Sequence, residues 1–340
     1  MSHIERPIII SGSTNLPVAE QIAKILQCDL LERTIEKFPN GEIGVLINET
    51  VRGRTIFLIQ TCITNEVNDG IIETGLITDA LHRASCGPIY LVQLLFPYQR
   101  QDRRETNKNG RPRRRPISGK LVADFYEKVC NLTGVITVHL HSDQIEGFFT
   151  NKCIVENISS AKLFIEYLKE QKIVTGEDSF EEGPVLVAPD VGGVKLVADL
   201  ADSLKIDYAI LDKRRSGPGQ SKVCKIVGNV KGRTIIIWDD LIDSGGTVVT
   251  GIDKLIEEGV ADGYLMVTHG VFSGNAIEKL AKSKFKKIII TDTVQNQDVA
   301  KYPDKFVVLP MAPLIAKVIA NIYNNESLQE AVRHNILQNL

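Results

Sequence analysis

No Cys-x-x-Cys pair occurs anywhere in the chain; Cys28, Cys62, Cys86, Cys130, Cys153 and Cys224 are widely scattered. That spacing excludes a compact zinc site and a small disulfide scaffold, and it fits a reducing compartment. An excess of one charge is missing too: 40 Lys and Arg face 42 Asp and Glu, a formal net charge of -2. A general affinity for nucleic acid or membranes is not expected from that balance. No apolar run approaches the ~20 residues that span a bilayer, and "MSHIERPIII" shows no signal-peptide pattern. A soluble cytoplasmic protein is therefore expected. The G-x-x-x-x-G-K-[ST] phosphate loop is also absent, which argues against a P-loop kinase. What is present is a chain of 340 residues, 43% of them hydrophobic, enough for about two ordinary globular domains.

Short β-branched runs alternate with stretches of helical spacing. "PIII" precedes "LPVAEQIAKIL", "TIFLIQT" precedes "NDGIIETGLITDALHRA", and "PIYLVQLL" and "GVITVHL" follow. The second half replays this order with "PVLVAPD", "VGGVKLVADLADSL", "TIIIWDD", "TVVTGIDKLIEEG", "GYLMVTHG" and "KKIIITDT". "VRGRTIFLIQT" begins at Val51 and "VKGRTIIIWDD" at Val230, an offset of 230 − 51 = 179 residues. "PIII" and "PVLV" lie 184 − 7 = 177 residues apart. Matching elements in one order predict two α/β domains of the same topology, each a mostly parallel sheet flanked by helices. The divide is placed near "FFTNKCIVENISS", with Asn157 to Ser159 leading into a helix. That gives domains at 1–155 and 156–325, followed by a tail at 326–340.

The halves differ where strands end. The second has "WDDLIDSGGT" where the first has "LIQTCITNEVND". Ligands of open α/β sheets bind outside the carboxyl ends of strands, so this difference sits where function usually resides. After the strand, Asp243, Ser244, Gly245, Gly246 and Thr247 form a turn. Val248, Val249, Ile252, Leu255 and Ile256 then mark one helical face, and Gly259 supplies a stop. Backbone N–H groups at such a helix start favour a phosphate, glycines permit close approach, and the two hydroxyls add donors. Asp239 and Asp240, a few residues away, suit the vicinal hydroxyls of a sugar, or a cation bridging the two carboxylates. A phosphorylated sugar held at both ends is the reading of these residues. Asp190 opens "PDVGG", a second Gly-Gly turn before a helix and a second candidate anion cradle.

This constellation resembles the phosphoribosyl pyrophosphate loop of type I phosphoribosyltransferase folds. "SGSTN", "FPNGE", "FPYQRQDRR", "RPISGKLVAD", "HLHSDQIEGFF", "APDVGGVKLVADL", "DKRRS" and "THGVFSG" narrow the resemblance. Together, and in order along nearly the whole chain, they are similar to the ribose-phosphate pyrophosphokinase family. The resemblance implies two tandem type I phosphoribosyltransferase-like domains. It also implies Mg2+-dependent transfer of the diphosphoryl group of ATP to the anomeric hydroxyl of ribose 5-phosphate. Phe38, Asn40 and Glu42 would then hold adenine, supplied by a neighbouring subunit. Arg100, Gln101 and Asp102 would border the ATP, and His141 with Asp190 would arrange metal ions. The turn Asp243 to Thr247 would hold the 5-phosphate, and Asp239 with Asp240 the ribose hydroxyls. Lys213 and Arg215 would sit on a loop that closes over the transferring phosphates; by themselves they read as a solvated charge run. The family implies a homo-oligomer built from dimers, up to a hexamer, with shared active sites.

The chain departs from the family pattern at several places. His139 stands where an aspartate is usual, and Leu196 replaces a cation in "GGVKL" while Lys195 survives. The segment after Asp102 is enlarged by a basic run from Arg111 to Arg115, which by itself reads as a solvated loop. Arg52 and Ser118 match part of the family's phosphate and ADP control region. Ala312 lies near the place of its serine, so that control does not carry over. His269 reads as a satisfied histidine at a strand end.

Overall fold

In the computed structural model the described residues are 6–62, 66–104, 106–107, 110–215 and 222–329; for 212–215 and 222–224 only the backbone is described. The chain divides into two compact units. The first runs in the order β1 (Ile8–Ser11), α1 (Leu16–Leu26), β2 (Arg33–Lys37), β3 (Ile43–Ile47), β4 (Ile56–Ile59), α2 (Val67–Arg83) and β5 (Ile89–Val92). It continues with α3 (Ser118–Asp124), which passes directly into a π-helical turn, Phe125–Val129, and then β6 (Gly134–Val138) and β7 (Ile154–Ile158). Five of these strands form a parallel sheet in the order β1-β4-β5-β6-β7. The Ile, Leu and Phe of β1 and β4 are buried to the last residue, as a parallel sheet covered on both faces demands.

The stretch Asn157 to Ser159, read as the lead-in to a helix, instead ends β7. Its amides pair with β6, and Asn157 lies opposite Thr137. Helix α4 (Ala161–Glu170) starts two residues after Ser159.

The second unit contains α4, β8 (Val185–Ala188), α5 (Val194–Leu204), β9 (Asp207–Arg215), β10 (Lys222–Val227), β11 (Thr234–Ile242), α6 (Gly246–Glu257), β12 (Asp262–Gly270), α7 (Ala276–Ala281), β13 (Lys287–Thr291) and β14 (Phe306–Leu309). Its sheet order is β10-β9-β8-β11-β12-β13-β14, antiparallel only between β9 and β10. Side chains of a strand alternate between faces. Accordingly Val185, Val187, Ile235 and Ile237 pack with Ile252 and Leu255 of α6. Leu186, Ala188, Ile236 and Trp238 pack with Phe164 of α4 and Leu200 of α5. The face expected for α6 is the one it buries, through Val248, Ile252 and Leu255, and Gly259 follows it in the left-handed conformation at φ 84°.

The chain then returns to the first unit. α8 (Ala312–Tyr323) packs on α1 and groups with residues 1–159, whereas the sequence reading had placed it with the second domain. The covering of its apolar face decides this, and two helices some 290 positions apart show no sign of their pairing in sequence. The separation itself falls between Ser159 and Ser160. No helix among the described residues is long and apolar enough to cross a membrane.

Candidate active site

The acid pair lies at the carboxyl end of β11. Its ladder with β8 pairs Ile235, Ile236 and Ile237 with Val185, Leu186 and Val187, the last partner. β11 therefore outruns β8, and continuing the register brings Asp239 and Asp240 level with Pro189 and Asp190. The Asp240 N–H donates to Asp239 Oδ1 at 3.0 Å. Burial pushes the Asp239 carboxyl well above its ordinary range, and the negative charges of Asp240 and then Asp190 push it further. Carboxyl groups on adjacent residues repel when both are ionised, which favours the protonated form of the more buried one.

Beyond Ile242 the chain turns through Asp243 and Ser244 to Gly245, which caps α6 at φ 69°. A side chain there would be strained twice, by the positive φ and by Leu280, whose Cγ lies 3.3 Å from the position of an added Cβ. Ser244 and Thr247 are exposed, Asp243 and Gly246 partly buried. The first turn of a helix has N–H groups with no helical acceptor, so α6 presents donors at this point. Lys279 of α7 donates to the Ser244 carbonyl at 3.2 Å. Neither Lys279 nor Leu280 carries a motif, and sequence reasoning missed both.

The turn after β8 is built by its own aspartate. Asp190 Oδ1 accepts from the N–H of Gly192 at 2.8 Å and of Gly193 at 3.2 Å, and Asp190 remains exposed. Its carboxylate thus occupies donors that the sequence reading had offered to a phosphate. Lys195 is exposed on α5 and Leu196 partly buried. Lys213 and Arg215, expected on a polar loop, lie in β9; the antiparallel ladder with β10 reaches Lys213 opposite Cys224 and Arg215 opposite Lys222. Their side chains lie outside the described part of the protein.

The first unit carries the other site residues. Phe38 to Glu42 form the tip of the β2–β3 hairpin. The Phe38 N–H donates to Glu42 O at 2.8 Å, and the Gly41 N–H to Phe38 O at 2.8 Å. Pro39 and Asn40 occupy the centre of that turn, and Gly41 takes the positive φ of 90° that the following position requires. Asn40 Oδ1 accepts from the Glu42 N–H at 3.2 Å, and Phe38 lies over Gly44 with 42% of its surface exposed. An aromatic ring supported on one side and open on the other is a surface on which a base can stack. Gln101 closes the turn after Tyr98, and its Oε1 accepts from Ser118 Oγ at 2.7 Å. Arg100 is exposed and Asp102 partly buried. The His141 N–H donates to the buried Gln99 Oε1 at 2.9 Å, and His139 stands at φ 45° with its N–H on Ile158 O. His269 is fully buried in β12 beside Leu241. His141 belongs to the first unit and Asp190 to the second. Among the described residues no three His, Cys, Asp or Glu side chains form a ready-made metal cage. Burial pushes the thiols of Cys62, Cys130 and Cys153 up to about 12, so none is a thiolate nucleophile.

Comparison with known proteins bears on the whole chain. Residues 7–130 match the family model described as the N-terminal domain of ribose phosphate pyrophosphokinase, and residues 208–333 match a phosphoribosyl synthetase-associated domain. The ribose-phosphate pyrophosphokinase of Fusobacterium nucleatum is 38% identical over 322 residues, covering 95% of this chain and 96% of that one. That of Thermotoga maritima is 37% identical over 333 residues, covering 98% and 100%. Among solved structures, phosphoribosylpyrophosphate synthetase from Mycobacterium smegmatis matches with a TM-score of 0.84 and 34% identity, over 94% of this chain and 100% of its own. Both halves match in the order in which their sheets were built, and relatives of equal extent carry one name. The chain belongs to the ribose-phosphate pyrophosphokinase family.

Proposed function

We propose that the protein transfers the diphosphoryl group of ATP to the C1 hydroxyl of ribose 5-phosphate, yielding phosphoribosyl pyrophosphate and AMP. The observation that carries this reading is the acid pair Asp239–Asp240 at the end of β11, one short turn from the donor-rich start of α6. Those two features fit the two ends of one sugar phosphate. The 5-phosphate accepts from the turn Asp243 to Thr247, and the ribose hydroxyls donate to the carboxylates, which fixes the C1 oxygen for attack. That oxygen forms a bond to the β-phosphorus of ATP, the bond from the β-phosphorus to the α,β-bridging oxygen breaks, and AMP departs with that electron pair. The hydroxyl proton is released.

ATP would stack its adenine on Phe38 and meet Asn40 and Glu42 at the hairpin tip, with Arg100, Gln101 and Asp102 alongside. Lys213 and Arg215 supply cations for the charge that spreads over the phosphoryl oxygens. Mg2+ fits the acid cluster. Its oxygen donors suit a hard cation, and the charge that raises Asp239 is what such an ion offsets. Asp190 and His141 are the residues assigned to it, and the ion, when bound, would neutralise phosphate oxygens. The reading includes a homo-oligomer built from dimers, since a neighbouring copy would supply the adenine hairpin.

The test is to mix the protein with ATP, ribose 5-phosphate and Mg2+ and to follow AMP and phosphoribosyl pyrophosphate together. Equal formation of both supports the reading. Folded protein that makes no AMP overturns it and points to a silent partner of another synthetase. Lys213→Ala is expected to cost about 100-fold in turnover, the scale of one preorganised transition-state donor.

A further inference from the structure

The loop proposed for the 5-phosphate is not held by its own residues alone. α7 lies under it and touches it at two points. Leu280 packs beneath Gly245, close enough that a Cβ there would sit 3.3 Å from its Cγ. Lys279, one residue earlier, directs its ammonium to the Ser244 carbonyl at 3.2 Å, and the same nitrogen lies 4.0 Å from the position a Cβ on Gly246 would take. Other lysines of the second unit pair with acids, Lys254 with Glu257 and Glu258, Lys282 with Glu278, Lys284 with Asp253 and Lys286 with Asp262, while Lys287 donates to the Asp304 carbonyl. Lys279 has no carboxylate within ion-pair distance among the described residues. It is partly buried and sits on a backbone carbonyl of the turn instead.

The consequence follows from the peptide plane. In a trans peptide the carbonyl and the N–H of the next residue point in opposite directions. Drawing the Ser244 carbonyl toward α7 therefore turns the Gly245 N–H away from α7. Gly245 is at φ 69°, a conformation that the turn must hold against alternatives open to glycine. A charge-assisted hydrogen bond from Lys279 is stronger than a neutral one, and its positive charge lies beside the helix start where a phosphate would bind.

We infer that Lys279 is a positioning residue for the sugar-phosphate loop: it fixes the Ser244–Gly245 peptide so that the turn presents its N–H to the 5-phosphate, and it adds a cation behind that phosphate. This inference rests on the reading of the turn as the ribose 5-phosphate site.

The test compares wild type with Lys279→Met, Lys279→Gln and Lys279→Arg. For Lys279→Met the KM for ribose 5-phosphate is expected to rise at least ~10-fold, one interaction of this size, while the KM for ATP stays within twofold and kcat falls less. Lys279→Arg should restore most of the loss, and Lys279→Gln, which keeps a donor without the charge, should fall between. Trp238 is the sole tryptophan and adjoins Asp239, so its fluorescence titrated with ribose 5-phosphate gives a dissociation constant independent of turnover. Wild type that makes no AMP would remove the parent reading. Active wild type with an unchanged ribose 5-phosphate KM and dissociation constant in Lys279→Met and Lys279→Gln would overturn the Lys279 inference alone. Should Lys279→Met melt below the assay temperature, the Gln and Arg variants decide: equal KM values in both remove the role of the charge and with it the inference.

Discussion

The two halves of the molecule share a sheet plan and end their strands in opposite ways. Ile8 pairs with Ile56 in the first sheet, and Val185 pairs with Ile235 in the second. At those offsets Ser13, Gln60 and Thr61 are the counterparts of Asp190, Asp239 and Asp240. In the first unit the three carry no carboxylate of their own, Gln60 and Thr61 are buried, and all three bond to neighbouring residues of that unit. Gln60 Nε2 donates to Glu73 at 2.8 Å, the Ser13 N–H donates to the same carboxylate oxygen at 2.7 Å, and Thr14 Oγ1 donates to Gln60 Oε1 at 2.7 Å. Asn15 reaches Thr61 Oγ1 at 2.8 Å. In the second unit three carboxylates crowd together, and the fold pushes one of them toward its protonated form. A polar network whose groups bond to one another fills a strand end, whereas carboxylates that raise one another's pKa favour a bound cation or hydroxyl donors there. The comparison reaches the hairpins as well. β2–β3 lies between α1 and β4 and β9–β10 between α5 and β11, although β9 joins its main sheet and β2–β3 forms a sheet of its own. The first carries Phe38 to Glu42 at its tip, and the second carries Lys213 and Arg215 where its tip begins.

Three measurements would break or sharpen this contrast. The largest effect is expected from Asp240→Asn, which should cut kcat/KM for ribose 5-phosphate by at least ~100-fold. Its counterpart Thr61→Val should leave kcat/KM within a few-fold, since the Thr61 hydroxyl is taken up by the Asn15 amide at 2.8 Å. Equal losses at both positions would mean that the first unit's strand end also serves the reaction.

Next in size is Gly12→Ala. Its Cβ would lie 2.2 Å from Gln60 Oε1, in the middle of the closed network. Displacing that side chain should cost about 1–3 kcal/mol of stability, read as a fall of several degrees in the thermal midpoint. A midpoint equal to that of wild type would show that the network is loose. Relief of the crowded carboxylates should give the smallest effect. The folded state raises the Asp239 pKa, so it holds that proton more tightly than the unfolded chain does. Stability is therefore lost as pH rises from the ordinary carboxylate value, about 4, through the raised one. Without ligands, Asp239→Asn should gain stability on wild type as pH increases over that interval, and added Mg2+ should narrow the gap. Parallel stability curves for the two proteins would remove the crowding argument.

Much of this contrast was legible in the linear chain. β-branched runs such as "TIFLI" and "TIIIW" became buried strands because burial on both faces leaves no room for polar residues. The repeat offsets anticipated the shared sheet plan, and Gly259 marked the end of α6 because only a residue tolerant of positive φ fits there. Other features have no local signal. Asn157 to Ser159 reads as a lead-in to a helix until β6 pairs with Asn157 and Ile158. α8 is an amphipathic helix whose partner, α1, lies at the far end of the sequence. Gln60 looks as polar as Asp239 until Glu73 and Thr14 are found to occupy it.

The sequence by itself determined the two sheets, the Gly-Gly turns and the chemical kind of the groups at the strand ends, because these depend on residue type and spacing along one segment. Tertiary structure decided which of those groups have protein partners. It closed the first unit's strand end with a glutamate from a helix and brought Lys279 and Leu280 under the phosphate loop. Hydrogen bonds and charges act over a few ångströms of space, and residues far apart in the chain become neighbours only after the sheets are packed.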